Sequence, residues 1–391
     1  MLLSIVMPCL NEHETVGICV TKAVRTLREH NIDGEVIVAD NGSTDGSIEI
    51  AESLGARVVH VPAKGYGSAL MGGIEAALGQ YVLMGDADDS YDFSEAPKFL
   101  ARLKDGYDLV QGCRLPAGGG TVIPGAMPWL HYWVGNPGLT WLARRMFHVP
   151  IHDIYCGMRG FSKAMYQRLN QQCCGMEFAT EMIIKASIFG EKISEVPITL
   201  HPDGRKTGRP HLRTFRDGWR TLRFFLLFSP RWVFLYPSLF LILTGIVGYA
   251  FALPGISIAG ILPGVQTLMI ASLSLFVGVQ TLLLGVFVRT FAEKEGFMPK
   301  HSRLVLAKPW LQLEKMLILG ALLLLIGGSM IGFEAWSWYR NNFGPLDLTQ
   351  TGRVVVPGIC LVLIGITIIS NGFSLSTLDL SIKRYDKKQG L

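Results

Sequence analysis

Apolar and polar positions follow two different patterns along the chain, and the change comes near residue 230. Before it, short apolar runs end in polar turns. LLSIVMP (2–8), EVIVADNGS (35–43), ARVVHVP (56–62) and YVLMGDAD (81–88) each read as a buried strand breaking into turn residues. Helical spacing fills the intervals at 11–30, 44–55 and 66–79, with Ser43 or Thr44 near the second N-cap and Gly55 as its stop. Four alternations of strand and helix predict an α/β domain, a mostly parallel sheet with helices on both faces. Ligands of such sheets bind at the carboxyl ends of the strands. Those ends are Pro8–Glu12, Asp40–Asp45 and Asp86–Asp89, so three polar stretches are expected to converge on one cleft.

After residue 230 the pattern becomes long and apolar. Segments 232–252, 264–288, 316–337 and 354–376 are each near the ~20 residues that span a bilayer. Composition agrees: 49% hydrophobic and 17% charged residues are too apolar a mixture for one soluble domain. The first link between spans has no Lys or Arg, while the second carries Arg289, Lys294, Lys300, Arg303, Lys308 and Lys315. The third has Arg340 and Arg353, and the tail has Lys383, Arg384, Lys387 and Lys388. Basic links stay inside. The expectation is a four-span protein of the inner (plasma) membrane, with its first domain and both termini cytosolic. MLLSIVMPCLNE lacks the basic start of a signal peptide. The seven cysteines include no CxxC and fit a reducing compartment rather than a disulfide framework.

Two stretches read as membrane-surface helices. In HLRTFRDGWRTLRFFLLFSPRW (211–232), Leu212, Phe215, Trp219, Leu222 and Leu226 form one stripe, and Arg213, Arg216, Arg220 and Arg223 form another beside it. AMPWLHYWVGNPGLTWLARRMF (126–147) is rich in Trp and basic at its end. The expected domains are 1–204 (catalytic), 205–231 (juxtamembrane helix), 232–382 (four spans) and 383–391 (tail).

The candidate chemistry starts at GDADDSYDF (85–93). Asp86, Asp88, Asp89 and Asp92 crowd charge at the end of an apolar strand, and such a cluster repels itself unless something positive is present. A divalent cation on Asp86 and Asp88 is the simplest partner, because Mg2+ takes one or two carboxylates and completes its shell with substrate phosphates. Asp92 also reads as a helix cap before Ser94. His13 and His152 read as solvated or structural. Glu177 and Glu181 share a helical face, either lining a cleft or serving the helix itself.

PCLNE (8–12), ADNGSTDGS (39–47), KGYGSALMGGIEAALGQYVLMGDAD (64–88) and CGMRGFSK (156–163) together resemble the inverting family 2 glycosyltransferases with the GT-A (Rossmann-like) fold. With the basic helix and four spans, the whole chain resembles the polyprenyl-phosphate glycosyltransferases, such as dolichyl-phosphate mannose synthases and bacterial undecaprenyl-phosphate glucosyltransferases. The resemblance implies Pro8, Glu12, Asp40, Lys64 and Asp86 at the nucleotide-sugar, and Mg2+ or Mn2+ on Asp86 and Asp88. It implies Asp88, Arg114, Arg159 and Arg205 as the catalytic set, with the three arginines toward phosphates; Arg114 also reads as a plain ion-pair residue. The implied partners are a UDP-glucose or GDP-mannose donor, an undecaprenyl or dolichyl phosphate acceptor and membrane lipids. No nucleic acid is expected, and a second copy of the chain stays open.

Three departures stand out. Asp40-Asn41 replaces the family's Asp-Asp. Asp89-Ser90 replaces the Leu-Gln that supplies a metal ligand in dolichyl enzymes, leaving Asp89 or Ser90 as candidate third ligand. GRPHL (208–212) replaces Gly-Glu-Ser-Lys. Rival readings are a processive or other-acceptor family 2 enzyme and an inactive membrane scaffold. The processive signature Gln-x-x-Arg-Trp is missing, since Phe-Ser-Pro precedes Arg231-Trp232. Intact Asp86, Asp88 and Arg114 argue against the scaffold. The spans carry almost no central charge, which argues against a transporter.

Overall fold

The computed structural model describes residues 1–205, 214–254, 263–299 and 308–379. The chain divides into two compact units, Met1–Phe228 and Ser229–Leu391.

The first unit is built on a seven-stranded sheet in the order β3-β2-β1-β4-β7-β5-β8. Strands β1 (Leu3–Cys9), β2 (Gly34–Asp40), β3 (Arg57–His60) and β4 (Tyr81–Met84) are parallel to their neighbours among themselves. β7 (Arg159–Ser162) runs antiparallel between β4 and β5 (Leu109–Cys113), β8 (Ile193–Pro197) returns parallel to β5, and β6 (Thr121–Val122) pairs with β9 (Thr199–Leu200) in a separate two-stranded sheet. Successive strand residues point to opposite faces. Leu3, Ile5, Met7, Val36, Val38 and Leu83 therefore pack on one side, with α1 (Val16–Glu29) and α4 (Ala96–Lys104). Val6, Ile37, Val82 and Met84 pack on the other. That side is covered by α3 (Tyr66–Ala76), α5 (Asn136–Phe147), α6 (Lys163–Leu169), α7 (Glu177–Phe189) and α8 (Thr214–Leu227).

Two helix starts differ from the sequence reading. α1 begins at Val16 rather than near residue 11, because Asn11 is left-handed (φ 59°) and residues 12–15 make a turn. α2 (Ser47–Ser53) begins three residues after Thr44. Asp45, not Ser43 or Thr44, receives the Ser47 amide at 3.1 Å, while Ser43 is spent on the neighbouring loop. Asp92 does cap as expected, accepting from the Ser94 amide.

α8 forms part of the first unit, with Phe225 packed 5.7 Å from the Phe147 ring of α5. Phe224 and Phe225 face inward, whereas Trp219 and Leu226 of the expected stripe stay exposed. The expectations for Leu212, Arg213, Phe215 and Arg216 fall outside the described side chains, as do those for Lys300, Arg303, Lys308 and the tail 383–391.

In the second unit four helices are long and apolar enough to cross a membrane: Arg231–Ala252, Val265–Lys294, Leu313–Arg340 and Leu348–Leu378. They contain three of the predicted segments whole and all of 264–288 but its first residue. The last two pack through glycines seven apart, Gly320 and Gly327 against Gly365 and Gly358. A Cβ on Gly327 would sit 2.5 Å from the Gly358 carbonyl oxygen, so only glycine permits this approach.

Candidate active site at the carboxyl edge of the sheet

The three strand ends meet. Beyond β1, the Asn11 and Glu12 amides bond the Ser43 and Ser47 hydroxyls at 3.0 and 2.8 Å, tying the first end to the second. Asp40, the last residue of β2, is buried and accepts from the Ser43 amide (2.8 Å), the Gly42 amide (3.1 Å) and His60 Nδ1 (3.3 Å). Burial opposes its charge, but these bonds hold the carboxyl below its ordinary value.

Asn41 explains one departure. Its amide nitrogen donates to the carbonyls of Val61 (3.0 Å) and Ala63 (2.8 Å), and its side-chain oxygen accepts from the Gly65 amide (2.9 Å). A carboxylate cannot make the first two bonds. Lys64 donates to the Asn41 carbonyl at 2.6 Å, which keeps it at this strand end. Pro8 lies in β1 in register with Ala39.

The acidic loop after β4 holds the strongest electrostatics. Asp86 accepts from the Tyr66 hydroxyl at 2.8 Å. Burial, with the neighbouring Asp88 charge adding to it, pushes its carboxyl up to about 7. Asp88 turns one oxygen to the Ser90 amide (3.1 Å) and hydroxyl (2.6 Å) and the other to Arg205 Nη2 (3.4 Å). Arg205 Nε also reaches Glu12 at 2.9 Å. Burial raises the Glu12 pKa against the pull of Arg205. Burial works against the Arg205 charge too, yet Glu12 and Asp88 outweigh it and raise the guanidinium pKa. Asp89 turns away, left-handed (φ 60°), to Lys22 at 2.8 Å. Both candidate third ligands are thus engaged within the protein.

Arg114 follows β5 and is buried against Asp153, which is fully enclosed. Nε and Nη2 form a fork to the two carboxylate oxygens at 2.6 and 2.9 Å, and the Arg114 amide adds a third bond at 3.1 Å. Nη1 reaches the Tyr91 hydroxyl at 3.5 Å. Arg159 is fully buried and donates to the carbonyls of Cys156 (2.6 Å) and Ala179, so it braces the loop before β7. His152 pairs with Glu195 at 2.5 Å and His13 with Asp45 at 3.1 Å, both structural contacts.

Sequence reasoning missed several residues that shape this edge: Asp153, Tyr66, Tyr91 and Lys185, the partner of Glu181. Glu181 and Lys185 are buried, 2.7 Å apart on α7. Glu181 accepts from the amides of Gln172 and Cys173, and Lys185 donates to the Asn170 carbonyl. Loop 170–175 is thereby pinned to the start of α3, where the Cys174 carbonyl accepts from the Ser68 amide at 3.1 Å. A Cβ on Gly67 would lie 2.4 Å from the Cys173 carbonyl oxygen, which leaves room only for glycine beside Tyr66. The i, i+4 spacing of Glu181 and Lys185 was the available signal. Glu177 instead approaches Arg220 of α8 at 3.8 Å.

A cavity of about 420 Å³ lies next to the Arg114–Asp153 pair. Leu115 and Pro116, directly after Arg114, line it with His152, Tyr132, Trp141 and Arg144. Trp133 and Trp141 of its wall are exposed.

The acidic loop suits Mg2+ or Mn2+. Its donors are hard carboxylate oxygens, two of them on neighbouring, mutually repelling groups, and a guanidinium already lies against Asp88. Among the described residues no group of three or more His, Cys, Asp or Glu side chains gathers into a metal cage. Such a site would hold its cation through Asp86 and Asp88 with a diphosphate completing the shell.

A sheet whose carboxyl edge carries an Asp-x-Asp loop, followed by four membrane-length helices, is what the family comparisons match to the glycosyltransferases with a membrane region. The family described as "Glycosyl transferase family 2" matches residues 4–169, and "Glycosyltransferase family 2 C-terminal transmembrane region" matches residues 286–379. The low-salt glycan biosynthesis hexosyltransferase Agl6 of Haloferax volcanii is 35% identical over 96% of this chain and 89% of its own length. The chain belongs to glycosyltransferase family 2. The dolichyl-phosphate hexose transferase of the same organism is 32% identical over 55% of this chain and 89% of its own length. Glucosyl-3-phosphoglycerate synthase from Mycobacterium tuberculosis, solved with Mn2+ and UDP-glucose, is 22% identical over 58% of this chain and 79% of its own, with a TM-score of 0.47.

Proposed function

We propose that this chain transfers a hexose from a nucleoside-diphosphate sugar to a polyprenyl phosphate at the cytosolic membrane face, with inversion at the anomeric carbon. The observation that carries the reading is the pairing of two features in one unit. The Asp86–Asp88 loop suits a cation-bound diphosphate, and a buried Arg114 stands beside a cavity with an apolar, Trp-rich wall. The relatives named as a hexosyltransferase and a dolichyl-phosphate hexose transferase support the donor and acceptor classes.

The nucleotide end of the donor is assigned to the β1 and β2 ends, at Pro8, Glu12, Asp40 and Lys64. A bound Mg2+ or Mn2+ supplies charge that offsets the negative charge developing on the leaving diphosphate. Asp86 and Asp88 hold that charge in place, and the Tyr66 hydroxyl fixes the Asp86 carboxylate. The acceptor monophosphate has a second pKa near 6 and is largely a dianion at neutral pH. It attacks without a strong general base, so no histidine is required. What the site must supply is positive charge near two anions, and Arg114 and Arg205 are assigned to that. The prenyl chain is assigned to the cavity past Leu115 and Pro116.

The test is transfer of label from UDP- and GDP-hexoses into the lipid phase, with undecaprenyl or dolichyl phosphate as acceptor. Label found only in water-soluble products would refute the lipid acceptor.

A further inference from the structure

Both oxygens of Asp88 have partners within the protein. Oδ1 accepts from the Ser90 amide and hydroxyl, and Oδ2 accepts from Arg205 Nη2 at 3.4 Å. Arg205 is fastened there by more than this contact. Its Nε donates to Glu12 Oε2 at 2.9 Å, and Nη1 lies 3.6 Å from Asp203. The backbone leading to it is stitched to the acidic loop as well. Leu200 bridges Tyr91, the His201 amide donates to the Ser90 carbonyl (3.0 Å), and the Gly204 amide donates to the Asp88 carbonyl (2.9 Å). The Arg205 and Asp88 side chains are each only 17% exposed, and Glu12 is 9% exposed, so water screens this triad weakly.

We propose that Arg205 is a resident counter-cation that latches the Asp88 carboxylate and must leave it before a divalent cation can bind. A divalent cation at Oδ2 is repelled by a guanidinium 3.4 Å from the same oxygen, so the two compete for Asp88. Entry of the cation with its diphosphate therefore frees Arg205. The freed guanidinium then becomes available to the second anion. That last role rests on the transfer reaction proposed above; the exchange at Asp88 does not.

The experiment is a Mn2+ titration of the purified full chain, without sugar or acceptor, read by loss of the free-ion electron paramagnetic resonance signal. Arg205→Ala is expected to bind Mn2+ about two- to fivefold more tightly than the wild type, as loss of one partly exposed ion pair implies. Arg205→Lys, whose single ammonium cannot span Glu12 and Asp88, is expected to fall between them. Lys22→Met is the control for field effects. It removes a cation paired with Asp89 on the same loop without freeing an Asp88 oxygen, and should shift Mn2+ affinity less than twofold.

Equal shifts in Arg205→Ala and Lys22→Met, or an unchanged or weaker Mn2+ affinity in Arg205→Ala, would overturn the latch. So would the lack of Mn2+ binding by any of these proteins. Absent sugar transfer together with the expected Mn2+ pattern would remove the reaction and leave the latch standing.

Discussion

Replacing Asp153 by Asn tests how Arg114 is held. Four donors converge on the Asp153 carboxylate: the Arg114 amide, Nε and Nη2, and the Tyr155 amide at 3.2 Å. Asparagine keeps the shape but offers one acceptor oxygen and turns an NH2 group toward donors. The guanidinium would then lose its counter-charge where its side chain is 10% exposed and Asp153 fully enclosed. Breaking a buried pair from one side costs about 3–5 kcal/mol. For a unit of this size each kcal/mol lowers Tm by about 2–4 °C, so the loss is expected to be roughly 6–20 °C. Thermal unfolding of the purified chain, followed by tryptophan fluorescence, measures it. The pair Arg114→Met with Asp153→Leu should regain most of the loss, because an apolar replacement leaves no stranded charge. A fall of less than about 1 kcal/mol in Asp153→Asn would show that the fork does not hold Arg114.

Other outcomes follow from the same geometry. Asn41→Asp removes two donors and leaves the Val61 and Ala63 carbonyls unmet, at about 1–3 kcal/mol each. Denaturant unfolding should show the loss, and nucleotide affinity should fall with it. The Asp86 carboxyl, pushed up to about 7 by burial and by Asp88, makes proton and cation compete. Mn2+ affinity should be flat above pH 7 and fall up to tenfold per unit below it. Because the folded pKa is raised, the cation-free protein should lose this group's stabilisation as pH rises through 7, and added cation should reverse that loss. A flat Mn2+ affinity from pH 8 to 5.5 would contradict this. Gly327→Leu should force apart the last two membrane helices and lower the yield of monodisperse protein in detergent, whereas Gly328→Leu, with open space around it, should not.

Much of the architecture was legible because it rests on local periodicity. The four apolar segments and the first four strands need only a count of side-chain spacing, and the Asp92 cap needs only its neighbours. The meeting of the three strand ends followed from the rule for parallel sheets. What escaped depends on contacts far apart in sequence. β7 enters the sheet antiparallel between β4 and β5, which no local pattern encodes. Asn41 looked like a damaged motif until its bonds to residues 61, 63 and 65 were seen. The carbonyl partners of Arg159, on Cys156 and Ala179, come from the fold and not from its motif. Asp153 lies 39 positions from Arg114, so nothing near either residue announces the fork.

The most direct test of the proposed function is transfer of labelled hexose from a panel of UDP- and GDP-sugars into polyprenyl phosphate, in liposomes with Mg2+ or Mn2+, beside Asp88→Ala. Transfer from one donor, abolished by chelator and by Asp88→Ala, is the expected result. Transfer undiminished in Asp88→Ala, or no lipid-linked product from any donor despite bound nucleotide, would contradict it.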